Sequence, residues 1–283
     1  MIRDIDTNFV YLSDQLPQRF SDFFIRFTRL LDEMEIPWGL VPNTKDIWVR
    51  DFMPIQLSDG SFLQYIYTPD YLQEKKYLSL QSDPSVICQE MSLKCKKVDA
   101  VLDGGNITLC GDKIVLTNKI VAENHQEGNT LEFLAYLENV FGHEVIMIPW
   151  HCLNPEDDDA DYFGHSDGFI HWCGGNKVLM SNYRDLDSDE AAEIRKILES
   201  HGFEVIEMLF DVKSPESNWN WAYINYLQVG RKIIMPAFRI SEDQDALNYV
   251  QSANPDCEVR QISMRDIVNN GGALHCLTWN VKK

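Results

Sequence analysis

The chain is short of positive charge. Lysine and arginine number 25 against 44 aspartates and glutamates, a formal net charge of −19 over 283 residues. Nucleic acid and anionic membrane surfaces both need a basic face, so neither is expected as a partner. No apolar run is long enough to span a bilayer, and the opening Met1-Ile2-Arg3-Asp4-Ile5-Asp6-Thr7 has no apolar signal core. No C-x-x-C pair occurs. The seven cysteines, Cys88, Cys95, Cys110, Cys152, Cys173, Cys257 and Cys276, are an odd number in a long chain. That pattern suits reduced thiols in a cytoplasm better than a disulfide frame. There is no linker or low-complexity stretch either, so residues 1–283 are expected to form a single domain.

What is present is a soluble, core-forming composition, 45% hydrophobic and 24% charged, and a repeated pattern. Four segments have the pattern of two short strands joined by a glycine turn. These are Ile55–Leu57 with Phe62–Tyr67, Ile107–Cys110 with Ile114–Thr117, Phe169–Cys173 with Val178–Ser181, and Tyr223–Val229 with Ile233–Pro236. A fifth strand, Leu274–Val281, is expected to pair with Phe9–Leu12 and so join the two chain ends.

A helical stretch and a short apolar strand follow each hairpin. The helices are Gln18–Met34, Pro84–Met91, Asn129–Phe141, Asp187–Ser200 and Ser241–Ala253. Leu131, Leu134, Leu137 and Phe141 are assigned to one buried face of the third of these. The following strands are Trp38–Val41, Val98–Leu102, His143–Ile148, Phe203–Leu209 and Glu258–Ile262. The unit is therefore ββαβ, recurring about every 50 to 60 residues, which is the spacing of radial repetition.

Three short segments carry chemistry. Trp48-Val49-Arg50-Asp51 offers a carboxylate beside a tryptophan and an arginine. Gly164-His165-Ser166-Asp167-Gly168 offers an imidazole and a carboxylate two residues apart, which on a strand end would face one side. Gly271-Gly272-Ala273-Leu274-His275-Cys276 offers a thiol beside a glycine turn. Each alone is ordinary: a structural acid, a satisfied histidine, an inert buried thiol. At equivalent places in successive repeats they would converge on the ring axis as a covalent cysteine site for a cation. His165 and Asp167 could ligate a metal, but no further ligands have suitable spacing, so none is expected. A papain-like hydrolase is disfavoured because there the cysteine precedes the histidine and here it follows.

The set resembles the agmatine deiminase and bacterial (Porphyromonas-type) peptidylarginine deiminase family of the pentein, or guanidine-modifying, superfamily. Trp48-Val49-Arg50-Asp51-Phe52-Met53-Pro54 is similar to W-x-R-D-x-G-P, and Leu102-Asp103-Gly104-Gly105-Asn106 to E/D-G-G-N. Gly164 to Gly168 resembles G-H-x-D-G, Tyr223-Ile224-Asn225-Tyr226 resembles Y-x-N-F, and Gly271 to Thr278 resembles G-G-x-x-H-C-x-T. The matches fall in family order along nearly the whole chain.

The resemblance implies a five-bladed, pseudo-symmetric α/β propeller and hydrolysis of a guanidino group to a ureido group plus ammonia. It implies Cys276 as nucleophile, His165 as general acid and base, and Asp51 and Asp167 as guanidinium clamps. Trp48, Asp103, Asn106 and Asn225 are implied to build the pocket for a small cationic guanidino substrate, with no cofactor. A homo-oligomer is compatible with the family.

Three departures bear on the substrate. Met53 stands where the family has glycine. Leu277-Thr278-Trp279-Asn280 replaces T-Q-Q, and Ala122-Glu123-Asn124-His125-Gln126 lacks N-x-N. Agmatine, giving N-carbamoylputrescine, is the expected substrate, with free or peptidyl arginine as alternatives. An α-carboxylate would need a fixed cation, for which Arg184 and Arg239 are the candidates. The acidic run Glu156 to Asp161 would oppose such a carboxylate if it covers the mouth. A non-catalytic binder of guanidino compounds is the reading from another class. It explains neither Cys276 nor His165.

Overall fold

The computed structural model describes residues 1–151, 163–211 and 217–283. They form five three-stranded sheets of one design. In four of them a hairpin is extended by a parallel strand that a helix brings back. The hairpins are Ile55–Gln56 with Phe62–Ile66, Thr108–Cys110 with Lys113–Thr117, Ile170–Trp172 with Lys177–Met180, and Leu227–Val229 with Lys232–Ala237. Their parallel third strands are Cys95–Val101, Glu144–Ile148, Glu204–Glu207 and Glu258–Ser263. A parallel neighbour cannot be reached by a tight turn, so each needs its crossover helix.

The remaining sheet pairs the chain ends as expected. Phe9–Ser13 lies antiparallel to Thr278–Val281, with Phe9 opposite Val281 and Leu12 opposite Thr278. It lies parallel to Trp38–Val41. With first and last strands in one sheet, the five units close as the blades of an α/β propeller. No helix among the described residues is long and apolar enough to cross a membrane.

Middle strands are buried on both faces. Val178, Leu179 and Met180 are fully covered, as are Ile233, Ile234 and Met235. Such strands have continuous apolar runs instead of alternation. The helices seal the blades from outside. Phe23, Phe27, Leu30 and Leu31 of helix Ser21–Glu33 are buried, each contributing roughly 1.5–3 kcal/mol. Ala191, Ile194 and Leu198 do the same for Ser188–Ser200, whose first turn is capped by Asp187.

Several local expectations need correction. The helix expected over Gln18–Met34 is broken at Phe20 into Leu16–Arg19 and Ser21–Glu33. In helix Thr130–Phe141 the buried face is Phe133, Leu137 and Phe141, and Leu131 points outward. Leu137 and Phe141 are buried as expected and Leu134 packs partly buried against the core, so only Leu131 leaves the face, its place taken by Phe133 one turn before Leu137. Tyr223 and Ile224 end a 3-10 turn, Ser217–Ile224, instead of opening a strand. The last strand begins only at Thr278. The acidic run Glu156 to Asp161 and Cys152 lie outside the described residues, and the other six cysteines are free thiols.

One regularity positions the chemistry. In each unit the segment just before the first hairpin strand is a tight turn. These are helix Val49–Phe52, the 3-10 turns Gly104–Asn106, Ser166–Gly168 and Ser217–Ile224, and the turn ahead of Thr278. Each of the five motifs lies at one of these turns.

Candidate active site

Glycine draws these turns together. A Cβ on Gly104 would lie 2.0 Å from the Arg50 carbonyl oxygen, so only glycine lets the two backbones meet. A Cβ on Gly105 would lie 2.7 Å from Asp51 Oδ1, 2.8 Å from His165 Nδ1 and 3.2 Å from Asp167 Oδ2. That one position touches three of the side chains singled out by the sequence. Gly272 is pressed against the Trp48 ring, whose nearest carbon would be 2.6 Å from a Cβ.

Asp51 is buried, and its Oδ1 accepts the Gly105 N–H at 3.2 Å. The Tyr65 hydroxyl lies 2.6 Å from the Asp51 carbonyl and 3.0 Å from that of Met53. Met53 itself is extended, φ −81° and ψ 144°, so a side chain is tolerated where the family has glycine.

His165 sits between two carboxylates. Its Nε2 is 2.9 Å from Asp103 Oδ2 and its Nδ1 is 3.6 Å from Asp51 Oδ1. The strand-end geometry expected for His165 and Asp167 is not found, because the 3-10 turn Ser166–Gly168 begins between them. Both still enter the site. Asp167 Oδ2 lies 3.6 Å from Cys276 Sγ and 2.6 Å from His275 Nδ1. Its Oδ1 is buried without a hydrogen-bond partner among the described residues. A buried orphan acceptor is uncommon in native proteins and is what a ligand N–H would satisfy.

Asn225 braces the thiol turn. Its Oδ1 accepts the Cys276 N–H at 3.2 Å and its Nδ2 donates to the Asp167 carbonyl at 3.3 Å. Asn106 Oδ1 accepts the N–H groups of Thr117 at 3.0 Å and Ser166 at 3.1 Å. These amides fix backbone around the site. Asp103, by contrast, touches His165 directly.

Three buried carboxylates, an imidazole and a thiol set the local charge. Burial pushes Asp51 up to about 7, reinforced by Asp103 and Asp167 and opposed by His165. Burial also opposes the imidazolium of His165, but Asp51 and Asp103 outweigh it and raise that group to about 9. Asp167 is held below its ordinary value because its bond to His275 overcomes burial. The Cys276 thiol is pushed well up by burial and then by Asp167 and Asp51. Near neutral pH it is therefore a thiol and not a thiolate.

His275, which the sequence offers only as the neighbour of Cys276, is the hydrogen-bond partner of Asp167. Its Nε2 continues to Asp4 Oδ2 at 3.5 Å. The adjacent H-C pair was its signal. Asp4, Lys119 and Tyr71 gave none, since none of them stands in one of the five motifs. Arg50 supports the turn, donating to the His275 carbonyl at 3.4 Å and to Asn280 Oδ1. Trp279 donates to the Pro54 carbonyl at 2.8 Å. The residues replacing T-Q-Q thus belong to strand and core.

The model of the Porphyromonas-type peptidyl-arginine deiminase family matches residues 29–281. The chain belongs to that family. It is 25% identical over 288 residues to the agmatine deiminase of Pseudomonas aeruginosa, covering 83% of this chain and 74% of that one. A putative agmatine deiminase of Mycoplasma mycoides is 24% identical over 277 residues, with the same coverage of 83% and 74%. Among solved structures, a substrate-bound agmatine deiminase of C. jejuni superposes with TM-score 0.78 at 18% identity, covering 100% of this chain and 96% of the other. The DDAH of Pseudomonas aeruginosa in complex with citrulline gives 0.62 at 12% identity, covering 97% and 99%. The family's five-bladed propeller is therefore the fold of this member.

Among the described residues, His151, Asp187 and Glu190 bring ligand atoms within 4.8 Å of one another, as a cation would need. These groups already have work in the fold. Asp187 caps a helix, and Glu190 accepts from the His151 N–H at 2.8 Å and the Tyr183 hydroxyl at 3.1 Å.

Proposed function

We propose that the chain is a single catalytic domain that hydrolyses a guanidino group to a ureido group plus ammonia, with agmatine as substrate and N-carbamoylputrescine as product. The observation that carries this reading is the meeting of Asp51, His165 and Asp167 around Gly105, with Cys276 Sγ 3.6 Å from Asp167.

A guanidinium carbon is a poor electrophile because its charge is delocalised. Asp51 and the free oxygen of Asp167 grip its N–H groups, fix its plane and localise charge on carbon. The arriving cation also lowers the proton affinity of Cys276, so the thiol releases its proton to solvent and the resulting thiolate adds to the carbon. His165 gives its proton to the departing amine, and ammonia leaves as the C–N bond breaks. A water then attacks the S-amidino carbon while His165 takes its proton. The C–S bond breaks, the ureido product forms and the thiolate returns. Asp103 holds the far nitrogen of His165 through both steps. A non-catalytic binder would need the carboxylates alone.

The amine-tailed substrate is favoured by the fate of the two candidate carboxylate anchors. The Arg184 guanidinium is held by Glu207 through both Nε, at 2.8 Å, and a terminal nitrogen. Arg239 is exposed at a left-handed backbone position, φ 60°. A cytoplasmic enzyme, with its thiols kept reduced, suits this chemistry. Turnover of agmatine, arginine and a C-terminal arginine peptide, read as ureido product, tests the assignment. Preference for agmatine with loss in Cys276→Ala is expected. No ureido product from any of the three would refute the reaction, and preference for a carboxylate-bearing substrate would refute the tail.

A further inference from the structure

Lys119 lies on the short helix Lys119–Glu123, and its side chain is 1% exposed. Lysine is almost never buried so completely unless it is paired. Its Nζ lies 3.0 Å from Asp70 Oδ1, 3.1 Å from Glu123 Oε1 and 3.5 Å from Asp103 Oδ2. It also stands 4.7 Å from the centre of the Tyr71 ring. Of the three carboxylates, Asp103 alone is bonded to a group of the site, His165 Nε2. Tyr71 ties the cluster further, its hydroxyl donating to Asp103 Oδ1 at 3.3 Å and its ring lying against His165.

Glu123 belongs to the segment that departs from the family's N-x-N. Its neighbour Asn124 is committed to backbone, accepting from Val101 N and donating to the carbonyls of Val101 and Ile120. In this chain the departing segment supplies a buried acid for a buried lysine behind Asp103.

We propose that Lys119 is a positioning residue for His165, acting through Asp103: its buried ammonium holds that carboxylate ionised and in place, and offsets the anions that would otherwise lock the proton on the imidazole. The proposal rests on the deiminase reading for its purpose, since only a histidine that must both give and take a proton needs such balance.

The charges facing His165 come from every element around it. Asp51 lies on helix Val49–Phe52, Asp103 precedes the turn Gly104–Asn106, and Asp167 is in its own turn. All three favour the imidazolium, and Lys119 opposes it. Tyr71 stays a neutral donor, its hydroxyl pushed well above its ordinary range by burial and Asp103. Asp103 is held below its ordinary value, because His165 and Lys119 overcome the effect of burial. Around Lys119 the opposing acids are Asp70 and Glu123, the latter raised to about 7 by burial and Asp103.

The test is an NMR titration of the His165 ring in the whole, ligand-free chain, which needs no substrate. Lys119→Met is expected to raise the His165 titration by roughly half a unit or more, Glu123→Gln to lower it, and Lys119→Arg to restore it. A cluster that is not coupled to His165 through Asp103 leaves the titration unmoved in all three variants. An unmoved His165 titration in a folded Lys119→Met overturns the proposal. If that variant does not fold, as circular dichroism will show, an unmoved titration in Glu123→Gln overturns it instead. In the active enzyme the limb of the kcat profile that reports His165 moves in the same directions, with KM changed less than about twofold. Absence of ureido product from the wild type would overturn the deiminase reading alone and leave the titration result standing.

Discussion

Replacing Gly105 by alanine inserts one methyl group into the centre of the site. Gly105 does not need a left-handed backbone, so alanine is conformationally allowed there, and the effect is steric. The new carbon would stand 2.7 Å from Asp51 Oδ1 and 2.8 Å from His165 Nδ1, where ordinary contact begins near 3.4 Å. The acid and the imidazole must therefore retreat by about 0.7 Å and 0.6 Å. Misplacement of reacting groups by about 1 Å costs on the order of 10²-fold in rate, so kcat should fall roughly 30- to 100-fold. Overpacking of this kind costs about 1–3 kcal/mol, or about 2–4 °C in Tm per kcal/mol for a chain approaching this size. The variant should still fold, with the Gly105 N–H intact. Gly168→Ala is the control, because a methyl there meets nothing within 4 Å. It should keep activity within about twofold. Ureido production by Gly105→Ala within about twofold of wild type would refute the convergence of Asp51, His165 and Asp167 on one reacting volume.

Three other outcomes are expected. Because burial, Asp167 and Asp51 keep the Cys276 thiol protonated, neutral iodoacetamide should label it slowly at pH 7 and faster as pH rises, while a cationic haloacetamidine should react more than about tenfold faster; mass spectrometry of the labelled peptide reads both, and equal rates would count against the cation effect. Asp51 is raised from 3.8 to about 7, so the folded chain holds a proton there that the unfolded chain has lost, and its contribution to stability falls as pH climbs through that window. Asp51→Asn does not titrate, so its Tm should rise relative to wild type between pH 4 and 8 in thermal scans while activity is lost, and a constant Tm gap would show that Asp51 is not burdened by burial. Asp167→Asn removes a clamp charge and the partner of His275, and should weaken binding of a guanidino ligand at least about tenfold in calorimetry; unchanged binding and turnover would make Asp167 a structural acid.

The repeat, and the residues that the structure brings together around Gly105, were legible in the sequence. Hairpins, helices and strands alternate because each carries its own periodicity and turn chemistry, which are local properties. The pairing of Phe9–Ser13 with Thr278–Val281 was legible too, since a ring must join its ends. Cys276, His165, Asp51, Asp167 and Asp103 were legible because their short motifs hold a reactive group beside glycines, and the structure shows what Gly104, Gly105 and Gly272 make room for. How those groups are charged and held depends on packing between the blades. The 3-10 turn at Ser166–Gly168 aims His165 and Asp167 where a strand end was expected, because backbone at a blade's inner end bends to meet its neighbours. The outward turn of Leu131 was set by which side of its helix faces the sheet. His275 on Asp167, and Lys119 on Asp103, are contacts between residues more than a hundred positions apart in one case and on separate elements in the other. No local pattern encodes them, because burial and the distance between charges exist only once the blades have closed.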